Sequence, residues 1–432
     1  MQPLVQPNHK WSTAKKIWFL FTAFYFFMLI LDFTSSDELY PHFMYILFKP
    51  YINFWNWVVP WTGKNILHLS YPITVTPNGS GDTTYNYVQQ FLWIVFAMTI
   101  ALLWAISDRK RLSYNQFKYW LRIILRYYLA LTLFVYGFAK IMKLQFQFPD
   151  LTRLTETYGD SSPMGLAWNF IGYSNGYNIF IGGAEVLAGC LLFFKRTTLF
   201  GSLVAMTVMA NIVAMNFAYD IPVKIFSTNL LALATWIAWY DIDRIINVFF
   251  LNKPAAAAQL GMPLKTKWKK ILQSSIKAIV ILNTFYATLG NAIELNKKYG
   301  EDLPKPALYG IYDAEIFVRK PDTLPPLMTD AKRWKRVIVG SYGYAVIYSM
   351  TGQQRWMKFS ADTINKTACF TSIVDSAKIF TLHFTEPDSS HFLFKGSFDY
   401  DSVSIMMKKF DITKFNLIKR GFHWINEYPH ND

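Results

Sequence analysis

Seven apolar runs of membrane-spanning length, each bounded by charged or polar residues, set the class of fold before any single residue is interpreted. They lie at about 17–34, 88–106, 119–142, 177–194, 198–218, 224–240 and 271–293. A helix needs about 20 apolar residues to cross a hydrocarbon core roughly 30 Å thick, because lipid offers an open backbone no hydrogen-bond partner. The 53% hydrophobic and 18% aromatic content suits such a chain. The formal charge of +15 sits largely in short loops: Lys10, Lys15 and Lys16; Arg109, Lys110, Arg111 and Lys118; Lys195 and Arg196; and segment 244–270. With seven crossings these fall on one side, as the positive-inside rule requires. The charge therefore reads as topological, and nucleic-acid binding is not expected. The N-terminus is expected in the cytoplasm and the C-terminal region on the opposite side.

The remaining segments give the domain plan. Lys15-Lys16 before an apolar run resembles a signal peptide, but no small-residue cleavage site follows, so 17–34 reads as an uncleaved span. Segment 41–60 is rich in aromatic residues and broken by Pro50 and Pro60, and reads as lying at the membrane interface. Residues 1–118 thus hold two spans and an interfacial segment, 119–250 a four-helix membrane unit, 251–270 a basic cytoplasmic linker and 271–300 the seventh span. Prolines at 304, 306, 321 and 325 mark a linker over 301–330. From 331 to 432 the pattern changes to period two with turn signals between short runs, which predicts an antiparallel all-β domain, a small barrel or a sandwich. The expected fold is an α-helical polytopic membrane bundle plus this C-terminal β domain. Its dense end, His423, Trp424, Asn426 and Glu427, is expected to dock on the protein.

Ionisable groups inside spans carry the functional expectations, because a charge at the bilayer centre costs about 2.5 to more than 10 kcal/mol unless it is paired, hydrated or used. Glu185 stands among Gly182, Gly183 and Gly189, small residues that let neighbouring helices close around it. It is either a proton-exchanging carboxyl or a structural group, paired with Lys140 or hydrogen-bonded to an asparagine. Lys140 stands at the far end of its span, where a lysine can equally snorkel to the headgroups. Asn211, Asn216 and Asp220 follow one another along the fifth span, as helix glue or as ligand contacts. Asp220, Lys224, Asp160 and Lys140 are expected to line an outer polar vestibule. Tyr136 and its aromatic neighbours read as packing or as a stacking surface for a ring ligand.

Other chemistries are not expected. The two cysteines, Cys190 and Cys369, are far apart and form no CxxC. The seven histidines lie outside the strongest spans, so neither membrane haem nor a metal site is expected. No HExxH, P-loop, GxGxxG or GxSxG is present.

Block 119–250 resembles the DoxX-like membrane family. The likeness rests on Arg122 and Arg126 at a span entry, Gly137-Phe138-Ala139-Lys140 at its end, Gly182-Gly183-Ala184-Glu185-Val186-Leu187-Ala188-Gly189 in the next, and the Phe194-Lys195-Arg196 stop. It is similar, less closely, to the helical part of vitamin-K-dependent carboxylases. The DoxX-like resemblance implies a four-helix unit, a bacterial inner membrane with the β domain in the periplasm, and for some relatives a role in quinone-linked oxidoreductase complexes. The expected function is accordingly a subunit that binds quinone or another lipid-soluble ligand in 119–250. Glu185 and Lys140 would then manage protons, and Asn211, Asn216, Asp220, Lys224 and Tyr136 would contact the ligand. The alternative is a non-enzymatic scaffold whose 331–432 domain binds an envelope partner protein.

Overall fold

The computed structural model describes residues 10–32, 46–76, 78–257, 266–375 and 378–430. The chain divides into two compact units: Met1–Gln145 with Asn175–Gly300, and Phe146–Ser174 with Glu301–Asp432.

The first unit is helical. Its long members are α1 (Thr13–Ile30), α2 (Lys49–Asn65), α3 (Thr84–Ser107) and α4 (Asn115–Ile141). In the second unit follow α5 (Leu151–Thr155) and α6 (Pro163–Tyr173). The helical unit resumes with α7 (Asn175–Phe193), α8 (Thr198–Ala218), α9 (Lys224–Trp239), α10 (Ile242–Phe249) and α11 (Lys267–Tyr299). Six of these, α1, α3, α4, α7, α8 and α11, are long and apolar enough to cross a membrane. The chain is therefore a multi-pass membrane protein. Six of the seven expected spans meet that criterion, and their ends shift by a few residues.

The sixth expected span, 224–240, becomes α9, only 16 residues long. At 1.5 Å per residue its 16 residues reach about 24 Å. Segment 41–60 is described from Ile46 onward; α2 carries Pro60 within it and packs Trp55 against Trp93 and Phe96 of α3, with ring centroids 6.3 and 5.8 Å apart.

The second unit holds an up-and-down barrel. Its strands are β1 (Gly310–Arg319), the two-residue β2 (Asp322–Thr323), β3 (Trp334–Val339), β4 (Tyr344–Ser349), β5 (Gln354–Asp362), β6 (Thr367–Ser372), β7 (Ile379–Thr385), β8 (His391–Phe398) and β9 (Asp401–Phe410). Each long strand pairs antiparallel with the next, and β9 returns to β1, so the sheet closes and leaves no edge among its eight long strands. Alternating residues fill the interior: Tyr312, Phe317, Trp334, Phe370, Phe384 and Met407 are all buried. The remaining void, bounded by Trp334, Phe359, Phe370 and Phe394, measures about 10 Å³, no more than one water occupies.

Two boundaries differ from the sequence reading. The barrel begins at Gly310, inside the stretch expected to be a linker. A bulge between Ala314 and Ile316 breaks the alternation of β1 and hides it from a period-two search. Buried Arg333 sits at that bulge, donating to the carbonyls of Ala314, Glu315 and Leu324. Segment 146–174, placed by the sequence within the four-helix membrane unit, folds instead with the barrel: Leu151 of α5 packs with Ile311 and Ile338, and Tyr342 donates to Gln147 at 2.9 Å. Among the described residues the C-terminal cluster is exposed: Trp424 by 90% and Tyr428 by 84%, with a ring contact between Phe422 and Trp424.

Candidate functional site

Helices α4 and α7 run antiparallel and touch through glycine. A Cβ on Gly182 would lie 2.5 Å from the Gly137 carbonyl oxygen, and one on Gly137 would lie 2.9 Å from that of Gly182. Only hydrogen fits on both sides, so the two backbones meet directly. Gly189 continues the seam, its position facing Phe134 and the Ala130 carbonyl.

The seam holds the central ion pair. Lys140 Nζ lies 2.8 Å from Glu185 Oε1 and donates to Oε2 at 3.0 Å, with Lys140 5% exposed and Glu185 1%. Their apparent mismatch in depth resolves through side-chain direction. Cα–Cβ bonds tilt toward a helix N-terminus, so Lys140 reaches back from the last turn of α4 to the level of Gly137, opposite Glu185. The Lys140 ammonium also lies 5.6 Å from the Tyr136 ring centroid, and that ring lies 6.1 Å from Phe226 of α9. An acid, a base and two rings thus meet at one place.

A second polar group forms where α9 begins. Asp82, from the loop before α3, accepts hydrogen bonds from the backbone N–H groups of Lys224 at 2.7 Å and Ile225 at 2.9 Å. It caps a helix remote in sequence, at the end where negative charge is favoured. Lys224 Nζ turns to Asp220, 2.8 Å away, and lies 3.9 Å from Asp82. Asn216 donates to Ser227 Oγ at 2.9 Å and so ties α8 to α9.

One turn further along α9, Asn229 donates to Gln90 Oε1 at 3.2 Å and accepts from the Tyr25 hydroxyl, which in turn accepts from Gln90. This ring joins α1, α3 and α9. Beside it Asp32, Asn86, Gln89 and Phe226 bound a void of about 10 Å³, again the space of one water.

The expected site residues therefore separate into groups. Lys140, Glu185 and Tyr136 come together. Asp220 and Lys224 pair at an exposed helix end, with Asn216 close by. Asn211 does not join Asn216: it is exposed while Asn216 is buried, because five residues turn an α-helix well past a full turn. The expected vestibule of Asp160, Asp220, Lys224 and Lys140 is not assembled. Lys140 is buried against Glu185, while Asp220 is 86% exposed at its side chain and pairs with Lys224. Sequence reasoning missed Asp82, Gln90 and Tyr25. A signal was present in Gln89-Gln90 within an apolar run and in Asp82 directly before the Thr83 cap of α3.

At the opposite end of α4, arginines hold helix ends. Arg126 donates through Nε and Nη2 to the Leu192 carbonyl at 3.0 and 2.7 Å, capping α7. Arg122 binds Asp241 at 2.6 Å, and Arg244 binds the same carboxylate at 2.9 Å. Burial raises the Asp241 pKa, but hydrogen bonds from Arg244 and Arg122 outweigh it and hold the carboxyl below its usual range.

No family model matches the chain, and no solved structure matches it. A curated relative is the uncharacterized protein YwoB of Bacillus subtilis (strain 168), 36% identical over 124 residues, which are 29% of this chain and 79% of that protein.

Proposed function

The chain belongs to the same family as YwoB, and because that relative is itself uncharacterized, we propose a function from the molecule's own surfaces: a membrane-anchored scaffold whose barrel binds a partner protein in the envelope. The observation that carries it is one apolar rim on a filled barrel. The loops after β1, β6 and β8 share the barrel end away from Gly310. They carry Met328, Val374 and Tyr400, exposed by 67, 98 and 92%. At the opposite end the β5–β6 turn carries Ile364, and the tail that follows β9 carries Phe422, Trp424 and Tyr428, exposed by 79, 90 and 84%. Three ion pairs stand near this rim, Arg355 with Asp399, Arg319 with Asp401 and Lys378 with Asp375, and Lys320, Asp322 and Lys332 of the loop after β1 are exposed beside them. Exposed apolar tips bordered by charged residues are of the kind that protein interfaces bury.

Tyr400 strengthens the case. Asp399 and Tyr400 form a two-residue hairpin turn with φ of 50° and 70°, where Asn-Gly is the usual choice. A bulky residue there costs about 1–2 kcal/mol, a cost that fits a ring kept for contact. The barrel would act in the periplasm, the helical unit being its anchor in the inner membrane. A photo-crosslinking residue at 400 or 374 in native membranes should yield one discrete protein adduct, and one at Lys395 on the barrel wall should not. No adduct from the rim, or the same adduct from position 395, overturns the proposal.

A second reading is favoured by the meeting of Glu185, Lys140, Tyr136 and Phe226. A quinone or other ring ligand stacking on Tyr136 could exchange a proton with that pair, within a complex that supplies the electrons. Organic extraction and mass spectrometry of gently purified protein test it: a stoichiometric quinone, weakened in Glu185→Gln, supports this reading. No lipid-soluble ring compound in either sample removes it.

A further inference from the structure

Three cations gather at the C-terminal end of α7 without a carboxylate. Arg126 of α4 is bound to the Leu192 carbonyl. Lys195 follows α7 and donates to the Tyr119 hydroxyl at 2.9 Å. Lys277 of α11 lies 4.5 Å from the Phe194 ring centroid and within the field of both other cations. Among the described residues no Asp or Glu oxygen lies within 4 Å of any of the three. Two carboxylates at this end are engaged elsewhere, Asp108 with Arg111 at 3.4 Å and Asp241 with Arg122 and Arg244, and exposed Asp243 of α10 pairs with none of the three cations.

Ordinary causes account for part of the cluster. The α7 terminus presents about half a negative charge, enough for Arg126 alone. Lys195 beside Arg196 fits a basic membrane-side loop. Lys277 fits neither. It lies seven residues into the span that opens at Lys270, about 10 Å along the helix. Only 6% of that span is buried within the protein, so its side chains are left for the surroundings to cover. A lysine at that depth beside two like charges is stabilised by an anion.

We propose that Arg126, Lys195 and Lys277 form a phosphate-binding site at the C-terminal end of α7, where α4 and α11 each contribute one cation. Its ligand is a phosphate oxyanion, carried by an anionic membrane lipid or free in solution. Arg126 has N–H donors beyond the two given to Leu192, and the two ammonium groups add point charges. Phe194 and Tyr119 fix the lysines through ring and hydroxyl contacts, so little side-chain freedom is lost when the phosphate arrives.

The test uses the full chain purified in mild detergent and returned to nanodiscs of phosphatidylcholine with or without phosphatidylglycerol. Native mass spectrometry should find phosphatidylglycerol retained by the wild type. Retention should fall about fivefold in Lys277→Gln and in Lys195→Gln, and stay unchanged in Lys253→Gln, an exposed basic residue beyond α10. Each variant's unfolding midpoint in phosphatidylcholine alone shows whether it is folded. Inorganic phosphate titrated into the detergent sample is the second arm. Protection by phosphate that is lost in Lys277→Gln, without lipid retention, assigns the site to free phosphate. Equal retention in wild type, Lys277→Gln and Lys195→Gln, with no phosphate effect, overturns the proposal, as does an equal loss in Lys253→Gln.

Discussion

Breaking the Lys140–Glu185 pair one member at a time tests whether it is a closed clasp. Both groups are at most 5% exposed and 2.8 Å apart. Lys140→Met leaves a carboxylate in the α4–α7 seam, and Glu185→Gln leaves an ammonium there. Stranding one charge of a buried pair costs about 3–5 kcal/mol in soluble proteins. The lower end applies here, because helices unfolded within a membrane still find polar partners. Removing both charges strands neither, and a buried pair replaced by neutral groups is often close to neutral in stability. Each single variant should therefore lose about 3 kcal/mol, and Lys140→Met/Glu185→Gln about 1 kcal/mol or less. Reversible unfolding in mixed micelles, followed by tryptophan fluorescence, measures all four proteins. The sign is decisive: the double variant must be more stable than either single one. Additive losses would refute the clasp, and single variants without effect would mean that the pair is open to water or to a ligand.

Gly182→Ala should cost about 1–3 kcal/mol in the same assay, because its new carbon would lie 2.5 Å from the Gly137 carbonyl and force α4 from α7. Asp82→Ala should cost about 1 kcal/mol by stripping two N–H bonds from the start of α9, and a neutral result would mean that water caps it equally well. Tyr400→Gly should stabilise the barrel by about 1 kcal/mol while weakening any adduct formed at the rim; a loss of stability would contradict the strained turn. In the barrel, the backbone N–H and hydroxyl of Ser390, then the imidazole and N–H of His391, hold Asp388 at about 2, against an ordinary 3.8. A depressed folded value adds stability above the unfolded pKa and loses it as pH falls through the folded one. Asp388→Asn should therefore flatten the barrel's acid limb between pH about 4 and 2, read by circular dichroism, and an unchanged limb would reject that assignment.

What the sequence made legible follows the range of the interactions. The spans were readable because hydrophobic runs are local, and Glu185 and Lys140 because a charge in an apolar run has few explanations. Their pairing required the backward tilt of a side chain, which spacing does not contain. Asp82 was passed over because its cap lies 142 positions away at Lys224, and Tyr25 because Asn229 is 204 positions from it. β1 was hidden by its own bulge and by the prolines around it. The helical excursion 146–174 looked like a loop because α5 has five residues, too few for periodicity to register.

A common pattern connects the two proposed surfaces. Inside the helical unit most polar groups are consumed: Glu185 by Lys140, Asp82 by α9 and Lys224, Asn229 by Gln90 and Tyr25, Asp241 by two arginines. Such completeness is expected where an unmatched polar group costs several kcal/mol. Function is then sought where matching stops. It stops at the barrel rim, where apolar tips stand in water beside ion-paired charges. It stops again around Lys277, where three positive charges meet no negative one. An apolar excess in water and a cationic excess at a lipid surface are opposite imbalances, relieved by different partners. The rim variants should therefore leave phosphatidylglycerol retention untouched, and Lys277→Gln should leave the rim adduct untouched.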